Sequence, residues 1–262
     1  INVGFTDPVR VYQYERVPAR SLQTDGKQAH LECPSMTFIM LSHKDLTVAD
    51  KDIYPRPEAG LLEFLAFFRT WSMAVASLLV RMQEDQGIQL FHCPDYHAAL
   101  VCMYLESWRQ PPIPTVVTLH NASYQGVIMK HWSSEQWRVV SEFMGVQHKR
   151  LQLFCQHGGH FNILKAAVVY VKKHQQGIGF CAVSREYARE VSLQVELLRQ
   201  MHIDAVPNPE LRANHNSTAI HADSTELDMA KRSARLDLQN ALGLESKADA
   251  RIIVFIGRWV YQ

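Results

Sequence analysis

The sequence predicts an α/β protein in which a Rossmann-like domain with a parallel sheet is followed by the start of a second Rossmann-like domain. Strand-like and helix-like runs alternate from residue 88 to 206, which is the pattern of βαβ units and parallel strands. The polar stretch 207–224 is typical of a linker, and the alternation resumes after it. We therefore expect domains over 1–206 and 225–262.

Composition and charge are ordinary for a globular protein. The 262 residues are 47% hydrophobic and 20% charged, with a net charge of +1 when His is neutral. A chain without a basic excess gives no reason to expect a nucleic-acid partner. Its five cysteines are odd in number and no signal peptide is visible, so we expect free thiols in a cytoplasmic setting.

The first third of the chain contains one strong helix signal. Gly60–Val80 is the most apolar stretch, but charged residues interrupt it, whereas a membrane span needs about 20 predominantly apolar residues. We predict a long, mostly buried helix over 60–84, ended by Gly87. Before it, strand-like pieces such as Met36–Leu41 are separated by polar loops.

The alternation that follows predicts three strands and four helices before the linker. In order they are a strand at 88–92, a helix at 96–108, a strand at 114–119, a helix from Ser133, a helix at 161–170, a strand at 180–183 and a helix at 185–200. Gly177-Ile-Gly179 is too short for a dinucleotide fingerprint and is interpreted as a turn.

Beyond the linker, the pattern of a second domain begins. Thr225–Leu242 predicts a helix that Gly243 ends, and the apolar run 251–256 predicts the first strand of a second sheet. Gly257-Arg258 follows that strand, where an arginine is either an ordinary surface residue or a bidentate clamp for a pyrophosphate.

Two polar clusters follow two strands of the first domain, at the points where those strands end. Asp95-Tyr-His-Ala98 comes after the strand at 88–92, and His120-Asn-Ala-Ser-Tyr-Gln-Gly126 comes after the strand at 114–119. Ligands of open α/β sheets bind at the carboxyl ends of the strands. We therefore expect Asp95 and His120 to lie at one edge of the sheet and to share a site.

Each of these polar residues also has a structural explanation. Asp95 could cap the helix that follows it, His120 could be a structural histidine, and Asn121 could form only an Asx turn. The spacing of His92, Cys93, His97 and Cys102 fits no common zinc pattern, so no metal is expected.

The two clusters resemble the Asp-aromatic-His-Ala and His-Asn-x-x-Tyr-Gln-Gly motifs of the glycogen and starch synthases, which are glucosyltransferases. Further segments resemble the same family in the family's order, so that the similarity covers roughly 88–262: they are 161–167, 182–190, 238–244 and 255–262. Three segments are closer to the fungal cell-wall α-1,3-glucan synthases: 171–180, 207–210 and 257–259.

The resemblance implies a GT-B architecture and a retaining hexosyltransferase that moves glucose from UDP-glucose or ADP-glucose to an α-glucan, with no further cofactor. By the same resemblance, His120 lies at the reacting sugar and Arg258 binds the donor phosphates. Asp95, His97 and Asn121 would shape the sugar site, and Asn208 would lie near the cleft. Cell-wall α-1,3-glucan synthesis is the favoured role.

Parts of the family pattern are not in this sequence. The Lys-x-Gly-Gly-Leu loop is absent, and the Lys and Glu motifs of the second domain would follow Gln262. We therefore expect a fragment that is inactive alone. The rest of the polypeptide could include a membrane-spanning region, which would make the chain a cytoplasmic domain of a plasma-membrane protein.

Three other functions stay open at this point. The first is a storage glycogen or starch synthase, which belongs to the same family. The second is a glucan-binding or scaffolding lobe without turnover. A nucleotide-binding dehydrogenase is the most distant, because no Gly-x-Gly-x-x-Gly follows any predicted strand.

Overall fold

The computed structural model describes residues 7–16, 36–47, 55, 60–108, 111–128, 132–208, 224–245, 247 and 251–252. The chain divides into two compact units, Ile1–Asn208 and Pro209–Gln262. Most of the predicted linker and most of the strand predicted at 251–256 lie outside the described residues. The proposed domain boundaries therefore stay a prediction.

The described elements of the first unit are, in chain order, β1 (Arg10–Arg16), β2 (Met36–Ser42), α1 (Leu61–Gln86), β3 (Phe91–Pro94), α2 (Leu100–Ser107), β4 (Thr115–Leu119), β5 (Val127–Ile128), α3 (Ser134–Met144), α4 (His148–Cys155), β6 (Gln156–His157), β7 (His160–Asn162), α5 (Leu164–Gln175), β8 (Ile178–Ala182), α6 (Arg185–Gln194) and β9 (His202–Ala205). The second unit contains α7 (Ser224–Ala241), close to the predicted helix, and Gly243 follows it with a φ of 64°.

A four-stranded sheet with the order β3-β4-β8-β9 forms the centre of the first unit, and all its pairs are parallel. Cys93, Val117 and Phe180 lie side by side on one face of this sheet and are buried. Helices follow or precede each strand, as βαβ connections require. The prediction of an α/β protein with a parallel sheet is therefore confirmed for this unit.

Two small antiparallel sheets accompany the central one. β1 pairs with β2, and β7 lies between β5 and β6. Val127 pairs with Asn162 in the second of these sheets. This small sheet was not predicted, because strands of two or three residues carry no periodic signal. Its effect is to bring the end of the loop after β4 next to the start of α5.

Helix α1 begins and ends almost where the sequence predicts, and Gly87 ends it with a left-handed φ of 67°. Its first turns pack Phe64, Leu65 and Phe68 into the core, whereas its last turn is exposed. Among the described residues, α1 is the one helix whose length and apolar composition would suffice to cross a membrane, and 44% of the apolar window is buried inside the protein. Eight of its 26 residues are buried, all between Phe64 and Ala76, so the prediction of a mostly buried helix is wrong for its second half.

The strand predicted at 88–92 is displaced in the structure, where β3 covers Phe91–Pro94. Phe91 and Cys93 are buried and pair with β4, while Leu90 is exposed. Proline cannot donate a backbone hydrogen bond, but an edge strand tolerates it. Among the described strands β3 pairs with β4 alone, so Pro94 fits at this edge.

Other boundaries also differ from the predicted ones. The helix predicted at 96–108 begins only at Leu100, because Tyr96–Ala98 form a 3-10 turn. The helix predicted at 161–170 begins only at Leu164, because residues 160–162 form β7. The helix predicted at 185–200 ends at Gln194. The Gly-Ile-Gly turn is a turn only at Gly177, since Gly179 already belongs to β8. Apolar periodicity alone does not show where a chain changes direction.

Candidate functional site

Asp95 and His120 meet at the carboxyl edge of the parallel sheet. Asp95 directly follows β3, His120 directly follows β4, and the Asp95 amide extends the ladder by donating to the Thr118 carbonyl oxygen at 2.9 Å. The Asp95 carboxylate lies 3.0 Å from the Nδ1 atom of His120. The predicted juxtaposition of these two side chains is therefore confirmed, while their roles stay a prediction.

The Asp95 carboxylate holds the backbone after β4 as well as the imidazole. Its Oδ1 atom accepts hydrogen bonds from the amides of His120, at 2.8 Å, and Asn121, at 3.3 Å. The suggestion that Asp95 caps the following helix is wrong, because its side chain makes no capping hydrogen bond. The carboxylate turns instead toward the loop of the neighbouring strand.

The backbone of Asp95 has an unusual conformation, with a φ of 50° and a ψ of −160°. This region is almost restricted to glycine and costs on the order of 1–3 kcal/mol for other residues. Three hydrogen bonds to the carboxylate offset the strain. Strain that the surroundings enforce is often found at functional positions, so it is consistent with the predicted role of Asp95.

The loop after β4 uses its own amides for internal hydrogen bonds. Besides the two amides that Asp95 binds, the Ser123 amide donates to the Asn121 side-chain oxygen at 3.1 Å. The Tyr124 amide donates to the Asn121 backbone oxygen, also at 3.1 Å. These amides are therefore engaged within the protein and are not available to bind an anion.

The far end of this loop is fixed against β7 and α5. Asn162 donates to the side-chain oxygen of Gln125 at 2.7 Å, and Gln125 donates to the Ala122 carbonyl oxygen at 3.1 Å. Gly126 has a φ of 63°, and a β-carbon there would lie 2.6 Å from the Tyr96 ring. Only glycine fits this close approach, which explains the Gln-Gly pair in the motif.

His120 has the arrangement of an oriented imidazole. A carboxylate only accepts hydrogen bonds, so Nδ1 of His120 carries the proton that Asp95 binds. Among the described residues, Nε2 of His120 has no hydrogen-bond partner. The His120 side chain is 47% exposed, whereas that of Asp95 is 18% exposed. Nε2 can therefore contact a ligand hydroxyl while a half-buried carboxylate fixes the ring.

The other predicted site residues have different surroundings. The His97 ring stacks on the Tyr96 ring with centroids 3.9 Å apart, and burial lowers the His97 pKa. Asn121 forms the Asx turn that was its structural explanation. Asn208 is exposed three residues beyond β9, also on the carboxyl side of the sheet, and no hydrogen bond joins it to Asp95 or His120 in the described structure. Arg258 lies outside the described residues.

The His and Cys residues between 92 and 102, whose spacing was considered as a zinc pattern, make other contacts. Nε2 of His92 lies 2.6 Å from the Thr118 hydroxyl, and Cys93 and Cys102 are buried thiols. No group of three His, Cys, Asp or Glu side chains in the described residues could hold a metal ion. The absence of a metal from the reaction stays a prediction.

Sequence reasoning missed Tyr187 as a residue of this site. Tyr187 lies in the first turn of α6, and its hydroxyl accepts a hydrogen bond from the Ala122 amide at 2.6 Å. The contact joins residues that are 65 positions apart, which no local pattern predicts. The available signal was the segment 182–190, whose resemblance to the synthases includes this tyrosine.

Known proteins have sequences similar to most of this chain. The cell wall alpha-1,3-glucan synthase mok12 of Schizosaccharomyces pombe is 30% identical over 234 residues, which are 87% of this chain and 10% of that protein. Its relative mok11 from the same yeast is 30% identical over 80% of this chain and 8% of its own length. The chain thus spans about a tenth of the fungal relatives that it matches.

Bacterial proteins are similar at lower identity. The glycogen synthase of Exiguobacterium sibiricum is 24% identical over 94% of this chain and 51% of its own length. The family model of the starch synthase catalytic domain matches residues 6–200, a range that includes the strands β3, β4 and β8 of the parallel sheet and both polar clusters. The strained aspartate, the oriented histidine and this match lead to one conclusion: the chain belongs to the starch synthase catalytic domain family of glycosyltransferases.

Proposed function

We propose that this chain is the acceptor-side domain of a retaining glucosyltransferase that extends an α-glucan with glucose from a nucleotide-diphosphate glucose. The observation that carries the proposal is the Asp95–His120 pair, which orients an exposed imidazole at the carboxyl edge of the sheet. Family membership supplies the reaction class. A complete GT-B architecture, with a second Rossmann-like domain after Asn208, is part of this proposal.

Synthesis of cell-wall α-1,3-glucan is the favoured role. The fungal relatives that match this chain with 28–30% identity carry that name, and the match with mok12 covers 87% of the chain. A storage synthase is the second candidate, because glycogen synthases of bacteria match with 24–28% identity. For α-1,3-glucan synthesis the donor would be UDP-glucose or ADP-glucose. The described residues do not distinguish between the two bases.

The proposed chemistry divides between the two domains. His120, held by Asp95, would contact a hydroxyl of the reacting sugar and stabilise polarity that develops as the glycosidic bond to the nucleotide breaks. Arg258 would bind the donor phosphates in the second domain and neutralise the leaving group. Because this chain contains only the start of that second domain, we propose that the 262 residues alone do not transfer glucose.

The longer fungal relatives suggest the setting of the domain. This chain matches a tenth of their length or less, so the remaining polypeptide would supply the rest of the donor pocket. We propose a cytoplasmic location, where nucleotide sugars are made, in a protein that could be attached to the plasma membrane through another region. No separate cofactor, metal or nucleic acid is proposed.

The test is glucose transfer by the full-length protein that carries this chain, measured with labelled UDP-glucose and ADP-glucose and a maltooligosaccharide acceptor. His120→Ala should lower kcat by about 10²- to 10³-fold, because one preorganised polar contact in the transition state is lost. Arg258→Ala should also raise the donor KM, since a phosphate clamp binds the ground state too.

The matched control is His202→Ala. His202 also forms a pair with an aspartate, Asp204, at 3.1 Å, but it begins β9 and therefore lies at the amino end of the sheet. This variant should keep the parental kcat. Equal kcat values for His120→Ala and the parent protein would show that His120 is structural.

A further inference from the structure

The loop after β4 is held from two sides by side chains of other elements. From the β3 side, Asp95 binds the amides of the first two loop residues, His120 and Asn121. From the opposite side, the next amide along the chain, that of Ala122, donates to the Tyr187 hydroxyl at 2.6 Å. Three consecutive amides are thus fixed by two side chains that are distant in sequence.

The position of Tyr187 follows from the start of α6. The Ser184 hydroxyl accepts a hydrogen bond from the Tyr187 amide at 3.0 Å, which caps the helix directly after β8. Since β8 is the neighbour of β4 in the sheet, the first turn of α6 lies beside the loop that follows β4. The capped turn therefore directs the phenol to the Ala122 amide.

The surroundings of the phenol keep it protonated. Burial raises the pKa of Tyr187, the hydrogen bond from Ala122 opposes this effect, and the nearby Asp95 carboxylate raises the pKa further. Phenol and carboxylate hold neighbouring amides of the same loop, the phenol that of Ala122 and the carboxylate those of His120 and Asn121. Ala122 itself is 1% exposed, so its amide has no access to water as a replacement partner.

We propose that Tyr187 is a positioning residue for glucosyl transfer. From α6 it fixes the loop after β4, which carries His120, while Asp95 orients His120 from the end of β3. This role rests on the proposed function and adds a residue to it. Without the hydroxyl, the buried Ala122 amide would lose its acceptor, and the loop would move to satisfy it. A displacement of about 1 Å at a reacting group can lower a rate by about 100-fold.

The test compares two tyrosine-to-phenylalanine variants, each of which removes a hydroxyl that accepts a hydrogen bond from a backbone amide. Tyr187→Phe removes the partner of Ala122, and Tyr170→Phe removes the hydroxyl that accepts from the Ile113 amide at 2.9 Å, just before β4 begins and thus at the opposite edge of the sheet. In the full-length protein, Tyr187→Phe should lower kcat by about 10- to 100-fold with a smaller change in donor KM. Tyr170→Phe should keep kcat within about 2-fold, since the loop keeps its contacts.

Hydrogen exchange of the 262-residue chain separates the structural claim from the catalytic one. The Ala122 amide should exchange faster in Tyr187→Phe and at the parental rate in Tyr170→Phe. Unchanged exchange at Ala122, or equal kcat values for Tyr187→Phe and the parent, would overturn the positioning role while glucose transfer by the parent stands. A parent protein that transfers no glucose would overturn the proposed function and this role together.

Discussion

At the scale of single residues, Asp95 makes the contacts that define the candidate site. The sequence predicted that it shares an edge with His120, because both residues follow strands of one parallel sheet. The strained backbone and the three hydrogen bonds to its carboxylate were not predictable, since they depend on the exact approach of the β4 loop. Its use as a helix cap was the wrong alternative.

Asp95→Asn tests whether the carboxylate orients His120. The new amide would keep an oxygen for the two loop amides, but its nitrogen would donate to Nδ1 and so reverse the histidine tautomer. In a hydrolase with a buried Asp–His pair, this change costs about 10⁴ in kcat. We expect a loss of about 10²- to 10⁴-fold in glucose transfer by the full-length protein.

The same substitution in the other Asp–His pair, Asp204→Asn, provides the control. That pair is exposed on β9, away from the loop, and its loss should not change kcat. Urea unfolding of the 262-residue chain should show only a small stability difference between Asp95→Asn and the parent. Parental kcat in Asp95→Asn would mean that the tautomer of His120 does not matter.

At the scale of elements, the sequence correctly predicted those helix ends that have a strong local signal. Ser133 was predicted to start a helix, and the structure shows it as the cap of α3 with a reciprocal Gln136 contact. The strand predicted at 88–92 lies at Phe91–Pro94 in the structure. A strand tolerates proline only at an edge, and the order of strands is a long-range property that the local apolar run does not show. The short sheet around β7, which shortened the helix predicted from Phe161, has no local signal.

A second group of element contacts predicts a dependence of stability on pH. Glu106 at the end of α2 forms ion pairs with Lys173 and with His174, at 2.7 Å, in the last turn of α5. Burial acts to raise the pKa of Glu106, but the bonds from Lys173 and His174 outweigh it and hold the pKa below its usual value. A carboxyl group with a lowered pKa in the folded state stabilises the protein at neutral pH and loses that contribution in acid.

Glu106→Gln should therefore lower the free energy of unfolding at neutral pH by about 1–2 kcal/mol. The difference from the parent should shrink as the pH falls below about 4, because the parent then protonates the same carboxyl group. Urea unfolding of the chain at several pH values measures this difference in the free energy of unfolding. Glu135→Gln, which removes an exposed pair with Arg138 on α3, should change little at any pH. A pH-independent difference for Glu106→Gln would refute the assignment.

At the scale of the whole molecule, the alternation of strands and helices was sufficient to predict the parallel sheet and the edge where the site lies. The tertiary contacts that complete the site could not be predicted in this way, because Tyr187 and Asn162 contact the loop from elements far along the chain. The chain belongs to a glycosyltransferase family, and because it matches only a tenth of the fungal relatives, its reaction, the linkage and the donor stay proposals.

The central claim is that the Asp95–His120 edge binds the sugar, and NMR of the histidine side chains tests it most directly. The 262-residue chain is titrated with maltoheptaose, and the imidazole signals of His120 are compared with those of His202 as an internal reference. We predict that the His120 signals shift in a saturable way, that those of His202 do not, and that Asp95→Asn weakens the response. Saturable binding without a shift at His120 would place the glucan elsewhere and contradict the account.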